Sequence, residues 1–565
     1  MIGVISKPTE IRAAQEFFQL FKTPWEPYVP GRQYDVVLST SDDVPRDPGA
    51  KVVLVYNSKI IPFDHDRKLT VHSQQRKLWL ESDAAAFPVY GDVLVFQPTG
   101  RPCLRVQGTS EPAGLDVGES TQRVVRVGYD LFQEIAFLLS EGQPPANAHV
   151  PTLELHISIL RDQLLLAGIP LVEVPPVPPG YDFMACLTHD VDFVGIRQHR
   201  FDQTMWGFLY RALVGSLSGV LRGRLSWRKL IRNWSAAFWL PAVHLGLRPD
   251  FWLEFDRYAE FEKDLGSTFF FIPYRNVPGT RGSGPAPGRR AAKYDLVETR
   301  AHALELIGRG CEIGLHGLDA WRDPGKGRAE LSRITDITGP AEVGVRMHWL
   351  YFSEDSPRIL EEAGFSYDST FGYNNTIGFR AGTPQAFCPL TAQSLLELPL
   401  TIQDTAMFYA AHLNLPEAEA LDACKRLIQS AARFGGALTV NWHTRSLSPE
   451  RLWGDFYLRL LEQMQTHRVW FGRAAEIVQW FRQRRALRFE SVHTAGARVW
   501  LKLAGAAAVG QPPLTLRIHH PQPASPAASA RPLLEPSYSD ISWKGEAELE
   551  IIVGAPKHQG ANHAG

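Results

Sequence analysis

From about residue 251 to 486, short apolar runs alternate with segments of helical period, and this rhythm restricts the fold more than any other feature. FWLEFDRYAEFEKDLG is followed by STFFFI, and YDLVETRAHALELIGRG by CEIGL. EVGVRM leads to SPRILEEAGF, LLELPL to PEAEALDACKRLIQSAARFG, ALTVNW to PERLWGDFYLRLLEQMQ, and RVWF to RAAEIVQWFRQRR. A short apolar run bounded by turn residues reads as a buried strand, and a 3.6-residue period as a helix. Strands alternating with helices call for parallel βα units. With the apolar run FMACL at 183–187 as a first strand, residues 176–486 have the size and rhythm of a (β/α) barrel.

A barrel of that kind builds its site at the carboxyl ends of its strands. Reactive residues fall there one strand after another. Asp190 and Asp192 end the first, spaced two apart, so they share a side while His189 and Val191 point away. His316 follows CEIGL, Arg346 and His348 end EVGVRM, Asp404 lies just past LLELPL, and His443 ends ALTVNW. Each has a plain structural explanation alone: a helix-capping aspartate, a satisfied core histidine, an ion-paired arginine. Five such strand ends in one barrel point to function.

The residue types then define the chemistry. Asp192, His316 and one further ligand suit Zn2+ or another divalent transition metal, with a position left open. Asp190 is placed to take a proton from water, with Arg346 keeping it ionised. His443 would protonate the leaving group and stabilise the oxyanion, and Asp404 would keep it charged. This is metal-assisted hydrolysis of an acyl group.

Residues 1–175 read as an N-terminal α/β domain, with DVVLST, KVVLVYN and DVLVFQP as strands and no phosphate-cradling glycine loop. LVEVPPVPPG at 171–180 reads as a stiff linker. Residues 198–250 form a basic, amphipathic helical insertion. Its apolar stripe either packs on its own protein or, through 206–234, contacts an anionic membrane surface. Residues 487–556 alternate like a small β domain, and 557–565 read as a disordered tail. A net charge of −1 gives no nucleic-acid signature. Five scattered cysteines without a CxxC argue for reduced thiols. No leader or spanning run is visible, so a cytoplasmic protein is expected, membrane-associated if the insertion binds lipid.

At 181–480 the chain resembles the NodB-homology polysaccharide deacetylases, carbohydrate esterase family 4. THDVD (188–192) is similar to the family's DVD variant, which implies Asp190 as base and Asp192 as ligand. EIGLHGLDAW matches the strand and first histidine of a His-x-x-x-His motif. VRMHWL sits at the arginine motif, EEAGFSYDSTFG is typical of the family, and VNWHTR resembles the last motif, with its catalytic histidine. The resemblance implies a distorted (β/α)7 barrel acting on an N-acetylated sugar, in a polysaccharide or in its nucleotide- or lipid-linked precursor. The second histidine is missing, because that position is Ala320. His348 is the expected replacement ligand and Asp319 the rival. RMHWL and GFRAGT (378–383) are similar to a subgroup with an extra N-terminal domain. Arg380 would then bind a substrate carboxylate or phosphate, or form a structural ion pair. Trp349, Trp442 and Trp321 would stack on sugar or be buried. The alternatives are a lipid-linked amino-sugar deformylase and a non-catalytic sugar-binding barrel of an assembly complex.

Overall fold

The structure is a computed structural model that describes residues 1–552 except 119–121, 224, 283, 340–341, 496–497, 507, 509 and 522–536. The expected tail lies outside the described residues. The first part is a nine-stranded mixed sheet. Trp25–Pro27, Ile2–Ile5, Tyr34–Ser39, Ala50–Tyr56 and Arg123–Val127 run parallel. Pro112–Asp116, Arg101–Val106, Val71–Glu81 and Ala86–Phe96 continue it antiparallel. The helices Ile11–Phe21, Leu131–Ser140 and Thr152–Leu166 bury their apolar faces in the same core.

That core also contains Phe371, Ala381 and Phe387 from far along the chain, so the first part is packed onto the second. The GFRAGT phrase forms the joint. Phe379 N donates to Ala148 O at 2.7 Å and Leu153 N to Gly382 O at 2.9 Å. Buried Glu154 accepts from Thr383 Oγ1 at 2.5 Å. Gly378 has φ 140°, and a Cβ there would lie 2.1 Å from Ala148 O, so only glycine fits. The phrase therefore goes with the N-terminal part because it makes contact with it.

The second part is a parallel α/β sheet of half-barrel kind. Its strand order is Leu396–Glu397, Tyr367–Asp368, Gly344–Met347, Glu312–Gly317, Ser267–Phe271, Phe183–Val191, Ala437–Asn441, Leu400–Gln403. Every ladder in it is parallel. Phe183–Val191 is buried along its whole length and takes a third partner, Val469–Phe471, at its start. A strand covered on both faces has to be apolar throughout until its tip, which explains FMACL followed by THD. Register sets Thr188 opposite Asn441 and His316 opposite Arg346, so the polar tips are aligned by the sheet. Tyr367–Asp368, inside the EEAGFSYDSTFG phrase, is too short to be recognised by periodicity.

The insertion folds as Gln203–Tyr210, Ser216–Leu221 and Trp227–His244, with a π-helical turn at Arg211–Gly215. One of its faces closes on a cluster of its own that includes Met205, Phe208, Leu240 and Trp252. The last part makes two small antiparallel sheets. Arg488–Ala495, Arg498–Ala504 and Glu548–Ile552 form one. Leu514–His519 and Tyr538–Trp543 form the other with Leu171–Glu173. The expected stiff linker is thus corrected: it begins as a buried strand, and the carbonyl of Val174 accepts from Arg484 Nε at 3.0 Å. A proline-rich stretch with its carbonyls satisfied by protein donors is part of the packing rather than a spacer.

Candidate active site

Strand alternation separates the two sides of THDVD as anticipated. His189 turns into the core, between Tyr258 and Phe269, where its ring nitrogens meet Trp442 O at 2.8 Å and Glu262 at 3.0 Å. Asp190 turns the other way. Arg346 Nη1 donates to its Oδ1 at 3.1 Å, and Asn441 Nδ2 donates to its Oδ2 at 2.7 Å. Arg346 is itself fixed by Thr188 Oγ1 at 2.6 Å, by Ser369 O at 3.0 Å and by the ring face of Phe270 at 4.6 Å. Burial would raise the Asp190 pKa, but the charges of His316, Arg346 and His443 outweigh it and lower it.

Asp192 Oδ1 lies 3.4 Å from His316 Nε2 and 3.4 Å from His348 Nε2. One atom from each of these three residues falls within 4.8 Å of the others. His316 Nδ1 donates to Arg346 O at 2.9 Å, which fixes the ring with Nε2 facing the cluster. Burial holds the His348 pKa well below that of a free imidazole, against the pull of Asp192, so its ring is neutral as a ligand must be. Asp192 is pushed well below the usual carboxylate range despite its burial by the three imidazoles that face it, His348, His316 and His443, of which His443 is the charged one. Its Oδ1 and His348 Nδ1 are buried without a hydrogen-bond partner. A buried carboxylate oxygen left bare between two imidazole nitrogens is a place for a cation. Donor types and orphaned oxygen together make these three residues a possible metal site.

His443 closes the site from across the sheet. Its Nδ1 is 2.7 Å from Asp404 Oδ1, and its backbone N–H donates to Asp404 Oδ2 at 2.8 Å. Its Nε2 lies 3.8 Å from Asp192 Oδ2. Burial would lower the His443 pKa, yet Asp404, Asp192 and Asp190 raise it to about 10. The ring is therefore an imidazolium at neutral pH, with its second N–H directed at the cluster.

Seven of the expected residues thus meet in one place: Asp190, Asp192, His316, Arg346, His348, Asp404 and His443. The others do not. Asp319 accepts from Thr280 N at 2.7 Å and from Lys326 Nζ at 2.8 Å, and lies outside the three-residue cluster. The substrate roles expected for two residues are corrected. Trp442 is fully buried against Phe456 and Tyr457, with no ring face left for a sugar. Arg380 lies over Phe371 at 4.3 Å and donates to Gly372 O at 3.0 Å, which places it at the joint with the N-terminal part. Trp349 is half-buried, adjoins His348 at 5.8 Å between ring centroids and carries Arg289 over its face at 5.5 Å. It sits at φ 62°, a backbone position that non-glycine residues seldom occupy. Trp321 is buried with its ring edge to Tyr351. Ala320 is wholly buried in the core cluster, behind the site.

Two residues of the site escape sequence reasoning. Asn441 was legible in principle, being the last residue of the strand Ala437–Asn441, two residues before His443. Arg290 was not: it lies in an aperiodic loop, and its guanidinium donates to His348 O at 2.8 Å, steadying that residue.

No sequence-family description matches the chain, and no curated protein does. Several solved structures are similar to it in part. One, from Mycobacterium smegmatis, is described as a polysaccharide deacetylase; the identity is 16%, covering 57% of this chain and 98% of that one, at TM-score 0.34. Another is a mutant of a CE4 family pseudoenzyme with restored enzymatic activity, at 14% identity, 53% and 68% coverage and TM-score 0.24. A beta-galactosidase from the psychrophilic Marinomonas ef1 matches at 12% identity, 28% and 26% coverage and TM-score 0.20. At such low identity and superposition, function has to be read from the side chains.

Proposed function

We propose that the chain is a metal-dependent hydrolase that removes N-acetyl or related acyl groups from a polysaccharide or its sugar precursor. One observation carries this: a buried carboxylate, Asp190, is locked by Arg346 and Asn441 directly beside the Asp192/His316/His348 cluster, while an imidazolium, His443, faces it from the other side. A pure metal-binding structural site needs neither the spare base nor the opposed acid.

A divalent ion held by Asp192, His316 and His348 would activate a water and polarise the acyl carbonyl. Asp190, kept ionised by its two donors, accepts the proton of the attacking water. His443 places an N–H where negative charge develops on the carbonyl oxygen, then gives its proton to the departing nitrogen. Asp404 keeps His443 charged and turned inward. His348 takes the ligand role that Ala320 cannot fill. The half-buried face of Trp349 is the sugar-stacking candidate.

The barrel of 176–486 reads as seven-stranded. Leu396–Glu397 and Leu400–Gln403 stand at opposite ends of the strand order yet only two residues separate them, which supports one bent strand closing the ring. The N-terminal domain (1–175) and the β-rich segment (487–556) serve as packing partners of that barrel. The test is acetate release from a panel of N-acetylated glycans by the zinc-loaded protein. Release by wild type and none by Asp190→Asn is expected; equal release by both would refute the assignment.

A further inference from the structure

The helical insertion has apolar residues on two faces, and only one of them is used. In Gln203–Tyr210 and Ser216–Leu221, Met205, Phe208 and Ala212 point into the insertion's own core. Trp206, Tyr210, Leu213, Leu217 and Leu221, spaced by three and four, are exposed. Trp227–His244 repeats the arrangement. Leu230, Ala236, Leu240 and Val243 face inward, whereas Trp227, Ile231, Trp234 and Phe238 form a second stripe at helical spacing. At about 100° per residue that stripe lies roughly on the opposite side of the helix. Leu221 is 77% and Phe238 74% exposed, and Phe201 beside them 82%. Scattered exposed leucines are ordinary, but two helices that each carry a full outward stripe are not.

Charge narrows what can cover them. Residues 203–249 contain seven lysines and arginines and no aspartate or glutamate, in a chain whose net charge is −1. Arg222, Arg228 and Arg232 are exposed on or beside the stripes. A second copy docking here would bring these cations against their equals, whereas an anionic surface would neutralise them. No helix among the described residues is long and apolar enough to cross a membrane, so these lie flat or not at all. Apolar stripes edged with Trp, Tyr and Arg match the water–lipid boundary.

The insertion is also fastened to the site. It leaves the chain just after Asp192, and Asp250 at its far end accepts from Ile196 N at 3.0 Å. Arg445, two residues past His443, stacks on Trp252 at 3.8 Å and on Phe193 at 4.8 Å. Trp252 Nε1 donates to Glu450 at 3.2 Å.

We propose that residues 201–223 and 225–248 form a docking surface for an anionic lipid bilayer. It holds the neighbouring site at the membrane, where, on the function proposed above, the acylated sugar is presented on a lipid carrier. The experiment is co-sedimentation of the full chain with phosphatidylcholine vesicles that contain or lack phosphatidylglycerol. Binding is expected to the anionic vesicles only, and to fall as salt is raised. Each cation near such a surface contributes about five-fold in partition, so Arg222→Gln/Arg228→Gln/Arg232→Gln lowers it about 100-fold. Trp227→Ser/Ile231→Ser/Phe238→Ser abolishes it, and both variants keep the zinc content and circular dichroism of wild type. No binding, equal binding to both compositions, or capture by soluble polyglutamate in place of vesicles would overturn the proposal. So would self-association of wild type that the same variants remove. Asp190→Asn binds vesicles as wild type does, so failure of the docking surface and failure of the hydrolase reading are told apart.

Discussion

Asp404→Asn removes the charge behind His443 while keeping the shape of the side chain. In the metal-free protein His443 is raised from 6.5 to about 10. At about 1.4 kcal/mol per pH unit, this is on the order of 5 kcal/mol of preference for the charged ring. Asp404 is the nearest contributor, at 2.7 Å against 3.8 Å for Asp192. An adjacent opposite charge is worth about 1–3 pH units, so the variant's His443 should titrate that much lower. The assay is a titration of the imidazole nitrogens by 15N NMR in both metal-free proteins. Linkage supplies a second reading. The folded value lies above the unfolded one, so the pairing stabilises the fold fully below pH about 6.5 and ceases to do so as pH rises through about 10. The stability gap between wild type and variant should therefore be widest at mildly acidic pH and narrow as the solution becomes alkaline. A His443 that titrates near 6.5 in both proteins, or a gap that widens with pH, would refute the reasoning.

Arg346→Met leaves Asp190 buried without its cation and should cost about 3–5 kcal/mol in urea denaturation, because a single charge is stranded in the core. Trp442→Ala should cost about 3–5 kcal/mol by the same measurement, with the zinc site intact, since the ring is packing rather than a sugar platform. His316→Ala and His348→Ala should each lose zinc by elemental analysis, whereas Asp319→Ala should retain it, because that carboxylate is engaged by Thr280 and Lys326.

The strand-end logic was legible because it depends on a period of two and on chain order. The side shared by Asp190 and Asp192, the turn of His189 into the core, and the delivery of His316, Arg346, His348 and His443 all follow from strands whose apolar bodies end in polar tips. Tertiary partners were not legible. Leu171–Glu173 looks like a linker because prolines follow it, and only its pairing with residues nearly 350 positions away makes it a strand. Trp442 and Arg380 were open to a substrate role because a large ring or a cation near a motif reads the same whether it faces a cleft or a neighbouring helix. Arg290 acts through a loop carbonyl contact that has no periodic trace. In the insertion both stripes are apolar, and a helical period does not say which of two faces turns inward.

The central claim is that Asp192, His316 and His348 grip a single divalent ion beside the free carboxylate of Asp190. Anomalous scattering at the zinc edge from crystals of the zinc-loaded protein tests it most directly. One peak within bonding distance of Asp192 Oδ1, His316 Nε2 and His348 Nε2 is the predicted result. A peak ligated by Asp319 in place of His348, or the lack of any peak between these three residues, would contradict it.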